Sequence, residues 1–362
     1  MYKKIGFIGL GLIGGSIARA IRREYKDISI VALDDTKESI ENAYKDKTID
    51  NNNIFPIDEL RDCDIIFLCA PVIINISYLP KLKAFVNEDT IITDVGSVKG
   101  EMEQAIIDNN LEEYFIGGHP MCGSEKTGYS NSNDRLLENA YYLITNNNII
   151  NQNKITTFKE FISSIGALPL ELTPDEHDYV TASISHVPHI IASSLVNFVM
   201  NNDSDKKTMK TVAAGGFKDI TRIASSSPTM WQNICLTNKD KILKLLDSYL
   251  LEIDKFKKSI NKGNADEIKE LFAEAKEYRD SISTGKGLIE NVYEFYVDIA
   301  DETGVIARIA TILANENLNI KNIGIINNRE YQEGALRIEM YDEFSMFKAI
   351  NVLKANKYSI YS

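Results

Sequence analysis

Short apolar runs and amphipathic stretches alternate over the first half of the chain. The runs are typical of buried strands, and in the stretches between them apolar residues recur every three or four positions, as on one face of a helix. The predicted strands are Lys4–Ile8, Ile28–Leu33, Ile65–Ala70, Ile91–Val95, Phe115–Gly118, Tyr141–Thr145 and Leu168–Leu172. This alternation predicts an α/β fold, built from βα units around a mostly parallel sheet.

The pattern changes twice beyond this region. From Pro174 to about Ser283 the strand signal stops, and residues such as Ile242 and Leu246 repeat at helical spacing, which predicts an all-helical domain. Thr284–Gly287 is predicted as a linker, after which the order of elements becomes βαββαβ. The sequence therefore predicts three domains, at residues 1–173, 174–284 and 291–362.

A glycine-rich turn follows the first predicted strand and precedes a predicted helix. Gly9, Gly11 and Gly14 have the GxGxxG spacing of a dinucleotide-binding turn in a Rossmann-like domain. Gly9 permits the tight turn, Gly11 lets the backbone approach a pyrophosphate, and Gly14 allows the helix to pack closely on the strand. The diphosphate is expected at the N-terminus of the helix, near Leu12 and Ile13, where the helix dipole favours an anion.

An acidic residue ends the second predicted strand. Asp34 is expected to accept hydrogen bonds from a ribose 2′-hydroxyl and to repel a 2′-phosphate, so NAD is predicted rather than NADP. Its neighbour Asp35 is an alternative for the same role, and a strand-end acid in an ordinary turn is the structural alternative.

The composition excludes several classes of protein. With 362 residues the chain is long enough for more than one core, and its net charge of −12 argues against a nucleic-acid or anionic-membrane partner. The four cysteines form no CxxC pair and give no sign of an oxidising compartment. The N-terminus enters a strand directly, and the longest apolar run, Ile65–Ile74, is too short to span a bilayer. We therefore expect a cytoplasmic protein in which a site for an anionic substrate is locally basic.

His119 is the strongest candidate for acid–base chemistry. Gly117 and Gly118 before it are expected to let the backbone turn sharply, and Pro120 to fix the exit from that turn. With an ordinary pKa near ~6.5, an imidazole is largely neutral at cytosolic pH. Beside a bound nicotinamide it is a proton acceptor next to a hydride acceptor, as in a dehydrogenase that acts on an alcohol carbon. The alternative is a structural histidine in a turn.

Ser97 follows another predicted strand, Ile91–Val95. Ligands of open α/β sheets bind outside the carboxyl ends of the strands, so Ser97 is well placed to contact the cofactor or the catalytic base. The alternative is the N-cap of a helix, and one hydroxyl can serve both purposes.

Three further histidines lie close together in the sequence. His177, His186 and His189 raise the possibility of a metal, but a zinc site needs three or four ligands and no other Cys or His is nearby. We expect no metal, and interpret them as polar residues that face a substrate on a helix bent at Pro188. His186 is alternatively buried and hydrogen-bonded.

A basic segment follows two glycines in the helical region. Lys218 and Arg222 are four residues apart on one predicted helix face, and a planar guanidinium can hold a carboxylate with two parallel hydrogen bonds. The alternative is a pair of solvated charges, or an ion pair with Asp219. Trp231, the single tryptophan, is by default a core or interface anchor.

Together these segments resemble the prephenate/arogenate dehydrogenase family, and the resemblance covers nearly the whole chain. The resemblance implies oxidative decarboxylation of prephenate, with NAD, to 4-hydroxyphenylpyruvate in tyrosine biosynthesis. The segments that carry it are Gly9–Ser16, Asp94–Lys99, Gly118–Met121, Asp175–Asp178, Ser185–His189 and Gly215–Arg222.

The resemblance also implies roles for individual residues. His119 accepts a hydrogen bond, and finally the proton, from the ring hydroxyl, while Ser97 bridges His119 and the nicotinamide region. Arg222 holds one carboxylate of the substrate, and Trp231 matches a residue near the pocket, within reach of a dimer partner. The residues that match positions lining or gating the pocket are Glu125, His177, Ser185, His189, Lys218 and Asp219.

The C-terminal segment resembles an ACT domain in its βαββαβ order. Such domains usually pair and bind amino acids at their interface. Gly304, at a predicted helix N-terminus, is a candidate for the carboxylate of an amino acid, and Asn322 for its amino group. Many ACT domains carry proline where this chain has Thr303. We expect tyrosine to bind here and inhibit; the alternative is a domain that only strengthens dimerisation.

Two other functions stay open at this point. One is an enzyme that uses arogenate, whose side chain carries an ammonium group where prephenate has a keto group. The other is a non-catalytic sensor of NAD and an amino acid that has kept the fold. In each case we expect a homodimer, with neither nucleic acid nor a membrane as a partner.

Overall fold

The structure is a computed structural model. It describes residues 2–123, 126–146, 149–283, 293–299, 302–326 and 335–361. Two compact units make up the chain, Met1–Glu252 and Ile253–Ser362.

The first unit contains a seven-stranded sheet in the order β2-β1-β3-β4-β5-β6-β7. Neighbouring strands are parallel except for β5 and β6, which are antiparallel, so the prediction of a mostly parallel sheet is confirmed. The strands are β1 (Lys4–Ile8), β2 (Ser29–Leu33), β3 (Ile65–Leu68), β4 (Ile91–Asp94), β5 (Phe115–Pro120), β6 (Tyr141–Thr145) and β7 (Leu168–Leu172).

Helices connect the strands and enclose the sheet between two apolar cores. Ile65 and Phe67 pack into one core, whereas Ile66 and Leu68 pack into the other, because successive side chains of a strand point to opposite faces. Strands buried on both faces are apolar throughout, which is why they appear as continuous runs in the sequence. The helices are α1 (Leu12–Glu24), α2 (Lys37–Lys45), α3 (Val72–Lys83), α4 (Gly100–Asp108) and α5 (Gln152–Ser164).

The glycines before His119 do not form the predicted turn; they lie inside β5, which continues to Pro120. A Cβ atom on Gly117 would lie 2.1 Å from Thr145 Oγ1, and one on Gly118 would lie 2.6 Å from the carbonyl oxygen of Asp94. Glycine is therefore needed here for close packing between strands. His119 is held on a rigid strand, one residue before its end.

A helical region follows the sheet, as predicted. Its first helix begins with a capping box in which Thr173 and Glu176 exchange hydrogen bonds, and one π-helical turn, Ala182–His186, separates it from the next. Pro188 lies in the first turn of that next helix, directly after the π-helical turn. The helices are α6 (Pro174–Thr181), α7 (Val187–Asn202), α8 (Thr208–Val212), α9 (Gly215–Thr221), α10 (Pro228–Thr237), α11 (Lys239–Lys262) and α12 (Ala265–Ser283).

A four-stranded antiparallel sheet, in the order β11-β8-β10-β9, lies in the second unit. It packs with two helices around a core that includes Phe295, Ile309 and Leu353, and the predicted βαββαβ order is confirmed. The predicted linker Thr284–Gly287 lies outside the described residues. The sequence pattern also predicts a strand over Tyr331–Tyr341, and the start of that range lies outside them too. The elements are β8 (Tyr293–Asp298), α13 (Val305–Asn315), β9 (Ile320–Ile326), β10 (Ala335–Met340), α14 (Glu343–Ala355) and β11 (Ile360–Tyr361).

Candidate active site

The glycine-rich turn between β1 and α1 has the geometry of a dinucleotide site. Gly9 has φ +91°, a conformation that side chains rarely adopt, and a Cβ on Gly14 would lie 2.5 Å from the carbonyl oxygen of Gly9. By contrast, a Cβ on Gly11 would meet nothing within 4 Å, so the backbone there is open to a ligand. No side chain caps α1, whose first residues are Leu12 and Ile13. The residues present therefore fit NAD, with its diphosphate at this helix N-terminus.

Asp34 supports this turn from the end of β2. One carboxylate oxygen accepts the N–H of Leu10 at 2.6 Å, and the other accepts the N–H of Thr36 at 2.7 Å. Each oxygen keeps a further lone pair, so these bonds are compatible with a contact to ribose, which remains a prediction. Asp35 is exposed, and its carboxylate accepts a hydrogen bond from the Thr36 hydroxyl.

A buried ion pair lies at the carboxyl edge of the same sheet. Lys99 Nζ lies 2.5 Å from Asp94 Oδ2 and donates to the carbonyl of Gly118 at 2.7 Å, while the N–H of Gly118 donates to Asp94 Oδ1. The two side chains are 0 % and 1 % exposed. Neither residue is a candidate from its local pattern, although an aspartate at the end of a buried strand and a lysine five residues later are visible in the sequence. The pair ties the loop after β4 to the backbone beside His119.

A chain of side chains connects His119 to the helical region. His119 Nδ1 lies 2.9 Å from His177 Nε2, and His177 Nδ1 lies 2.8 Å from Asp178 Oδ1. The carboxylate of Asp178 also accepts the backbone N–H groups of Lys99 and Gly100, at 2.8 and 3.0 Å. His177 is 0 % exposed, and both of its ring nitrogens are engaged. The prediction that His177 contacts the substrate is therefore corrected: it lies behind His119.

Both histidines are held in the neutral form. Burial lowers the pKa of His119 well below its usual value, and the nearby His177 and Lys99 lower it further. Burial also lowers the pKa of His177, although its hydrogen bond to Asp178 opposes that shift. His119 is therefore poised to accept a proton, and within the described residues its Nε2 makes no hydrogen bond.

Ser97 lies in the loop between β4 and α4, close in sequence to the buried ion pair. It is not the N-cap of α4, because that position belongs to Lys99, so the N-cap alternative was wrong. Its hydroxyl is half-buried and makes no hydrogen bond in the part of the chain that the structure describes. The predicted bridge from Ser97 to His119 stays a prediction.

The π-helical turn presents a second polar cluster. His189 Nδ1 donates to the carbonyl oxygen of Ser185 at 2.9 Å, and the His189 ring stacks on Trp231 with centroids 3.9 Å apart. Trp231 Nε1 is buried, and among the described residues it has no hydrogen-bond partner. An orphaned donor of this kind points to a ligand. His186 is buried, and its Nδ1 lies 3.2 Å from Asn238 Nδ2. This agrees with the alternative interpretation of His186 as a buried, hydrogen-bonded residue.

Of the other residues predicted to line or gate the pocket, Arg222 lies close enough to His189 to affect its pKa. Arg222 is exposed at the end of α9, and its charge contributes to the lowered pKa of His189, for which burial is the larger cause. Lys218 and Asp219 are exposed on α9. Glu125 lies outside the described residues. Among those described, no three His, Cys, Asp or Glu side chains are arranged to hold a metal ion.

Comparison with known proteins gives the family. Residues 17–169 match the family model described as "Prephenate dehydrogenase, nucleotide-binding domain", and residues 173–274 match "Prephenate dehydrogenase, dimerization domain". The chain belongs to the prephenate dehydrogenase family. It is therefore an NAD-dependent oxidoreductase, and the predicted resemblance is confirmed.

Several relatives are similar over most of their length. The prephenate dehydrogenase of Bacillus subtilis is 38% identical over 350 residues, which is 96% of this chain and 94% of that protein. The cyclohexadienyl dehydrogenase of Zymomonas mobilis is 31% identical over 78% of this chain and 97% of its own. Among solved structures, the prephenate dehydrogenase of A. aeolicus, in complex with hydroxyphenyl propionate and NAD+, matches with a TM-score of 0.73 and 31% identity. That match covers 77% of this chain and 98% of the other.

Proposed function

We propose that this member of the prephenate dehydrogenase family converts prephenate and NAD to 4-hydroxyphenylpyruvate, carbon dioxide and NADH. The observation that carries the proposal is the position of His119. It is a neutral imidazole near the carboxyl end of β5, and β1, β3, β4 and β5 run parallel, so it shares one sheet edge with the dinucleotide turn. A proton acceptor and a hydride acceptor thus meet at this edge.

The reaction needs little beyond orientation and one proton transfer. NAD, when bound, supplies the nicotinamide that accepts the hydride. As the hydride leaves the ring carbon, His119 accepts the proton of the hydroxyl on that carbon. The bond to the ring carboxylate then breaks, and its electron pair enters the ring, which becomes aromatic as carbon dioxide departs. The resulting phenolate takes a proton back, so no proton is gained or lost overall.

The substrate carries two carboxylates, which the protein must hold in a fixed orientation. We assign Arg222 to one of them, because a guanidinium binds a carboxylate with two parallel hydrogen bonds. The orphaned Nε1 of Trp231 supports a further polar contact beside His189. Ser97 is assigned to the bridge between His119 and the nicotinamide region. The remaining residues proposed to line the pocket are Glu125, Ser185, His189 and Lys218.

The direct test of this proposal is NADH formation by the purified protein, followed by absorbance, with prephenate and with arogenate compared side by side. We expect turnover with prephenate and the release of carbon dioxide in equal amount. Faster turnover with arogenate favours the alternative substrate, for which the named activity of the Z. mobilis relative leaves room. The absence of turnover with either compound contradicts the proposed reaction.

We propose that the chain forms a homodimer through its helical region, residues 174–284. In the sequence, this region separates the proposed domains at residues 1–173 and 291–362. Large apolar side chains there are exposed: Ile184, Phe198, Met200, Leu236 and Leu250 are each more than 60% exposed. The continuous helical segment Pro174–Asn202 is long and apolar enough to cross a membrane, judged by length and composition alone. His177, Asp178 and His186 on that segment make polar contacts, which favours a cytoplasmic protein whose apolar face is covered by a second copy.

We further propose that the C-terminal unit is an ACT domain that binds tyrosine. Gly304 is the N-cap of α13 with φ +86°, no side chain forms a cap hydrogen bond there, and Arg308 Nη1 would lie 4.0 Å from a Cβ on Gly304. Asn322 is exposed on β9, an edge strand of the sheet. A helix N-terminus suits the carboxylate of an amino acid, and an amide oxygen suits its ammonium group.

Asn322→Ala should raise the tyrosine concentration that gives half-maximal inhibition about tenfold, the amount that the loss of one hydrogen bond to a charged group produces. The rate without tyrosine should not change, because Asn322 is assigned to tyrosine binding and has no part in the proposed reaction. Inhibition curves for Asn322→Ala, and for Asn315→Ala at the far end of α13 as a control, check this expectation. Equal sensitivity of both variants and of the unmodified enzyme contradicts the assignment of Asn322, and inhibition that is competitive with prephenate places tyrosine at the active site.

A further inference from the structure

We propose that His177 and Asp178 are positioning residues that fix the tautomer of His119, with the proton on Nδ1 and a bare Nε2. The inference rests on the proposed function in one respect: Nε2 is then the atom that accepts the hydroxyl proton of the substrate. The chain of hydrogen bonds itself is independent of which substrate binds.

Asp178 is the fixed end of this chain of hydrogen bonds. Its carboxylate accepts the backbone N–H groups of Lys99 and Gly100, which are the N-cap and first residue of α4. Each oxygen of this carboxylate thus accepts one N–H group, and a carboxylate can only accept hydrogen bonds. His177 Nδ1, at 2.8 Å, must therefore carry a proton and donate it.

The state of His177 then determines the state of His119. A neutral imidazole carries one proton, and the lowered pKa of buried His177 keeps it neutral. With that proton on Nδ1, its Nε2 has only a lone pair. His119 Nδ1, at 2.9 Å from this atom, must donate, so the lone pair of His119 is on Nε2.

This order of donors has two consequences for catalysis. A His119 ring with its proton on Nε2 would be a donor there, unable to take a proton from a hydroxyl. When Nε2 does take the proton, the ring becomes positively charged, and the hydrogen bond through His177 to the Asp178 carboxylate stabilises that charge. His177 thus acts on the reaction through His119, without contact with the substrate.

The tautomers can be read directly from the full-length protein, because the chain has only four histidines. In ¹⁵N-histidine NMR spectra of the unliganded enzyme, we expect the Nδ1–H form for His119, His177 and His189, and the Nε2–H form for His186, whose Nδ1 accepts from Asn238. The spectrum of His119→Asn assigns the His119 signals. An Nε2–H signal from His119 overturns the inference, whether or not the enzyme turns over prephenate.

A matched pair of variants separates positioning from packing. His177→Gln puts an amide oxygen near the position of Nε2, where it can still accept from His119, whereas His177→Asn puts its amide near Nδ1 and leaves His119 without an acceptor. We expect kcat to fall about 100-fold in His177→Asn and only a few-fold in His177→Gln, with little change in KM for either substrate.

The outcomes distinguish the possible failures. Equal losses of kcat in both variants, with unchanged thermal unfolding, overturn the positioning role. If either variant fails to fold, the NMR tautomer of unmodified His119 decides the matter. An unmodified protein with the expected tautomers but no turnover contradicts the proposed function and leaves the hydrogen-bond chain standing.

Discussion

His119→Asn is expected to lower kcat by about 10²–10⁴-fold, because asparagine cannot accept the proton that leaves the substrate hydroxyl. The affinity for NAD should stay the same, since the dinucleotide turn at Gly9–Gly14 makes no use of the imidazole. Steady-state NADH formation gives the first quantity, and quenching of Trp231 fluorescence by NAD gives the second. His186→Asn is the matched control, because an amide oxygen can still accept from Asn238; its kcat should change only a few-fold.

The pH profile of the unmodified enzyme tests the same role of His119 as base. His119 must be neutral to act, so activity is lost as the pH falls through its pKa. Burial, with His177 and Lys99 nearby, places that pKa well below the usual value of 6.5, so kcat/KM should hold at pH 6.5 and decline only in more acidic solution. Unchanged turnover in His119→Asn, or an acidic limb centred above pH 6.5, contradicts the role of His119 as base.

Lys99→Met is expected to lower the free energy of unfolding by about 3–5 kcal/mol, because it leaves the Asp94 carboxylate buried without its counter-charge. Both side chains lie in the interior, where an unpaired charge cannot be solvated. The Gly118 carbonyl also loses its lysine donor. Urea unfolding followed by circular dichroism measures the change.

Two controls show whether burial is the reason. Lys37 and Glu41 form a pair on the surface of α2 with 77% and 54% of their side chains exposed, so Lys37→Met should cost no more than about 0.5 kcal/mol. Adding Asp94→Asn to Lys99→Met should restore part of the lost stability, since the charge is then removed. If Lys99→Met costs no more than Lys37→Met, the buried pair does not stabilise the fold in this way.

The elements of the sheet and the dinucleotide turn were predictable because they depend on residues close together in sequence. Strands such as Ile65–Leu68 are buried on both faces, and so they appear as continuous apolar runs. Gly9 and Gly14 follow a fixed spacing because one tight turn imposes it. The βαββαβ order of the C-terminal unit was predictable for the same reason.

The predictions that failed depended on neighbours distant in the chain. Gly117 and Gly118 indicated a turn, but they are small because Thr145 on β6 and Asp94 on β4 lie against them. His177 was predicted to face a substrate, but it is buried behind His119. Helical spacing does not reveal which element covers a side chain.

By itself, the sequence determined the fold class, the NAD-type turn and the identity of the candidate base, because local periodicity and short motifs encode all three. Only the tertiary structure decided how that base is held. His119 and His177 are 58 residues apart in the chain, and Asp178 meets the N-terminus of α4 from a different helix. Hydrogen bonds between separate elements depend on where packing brings those elements together, and no local pattern records that.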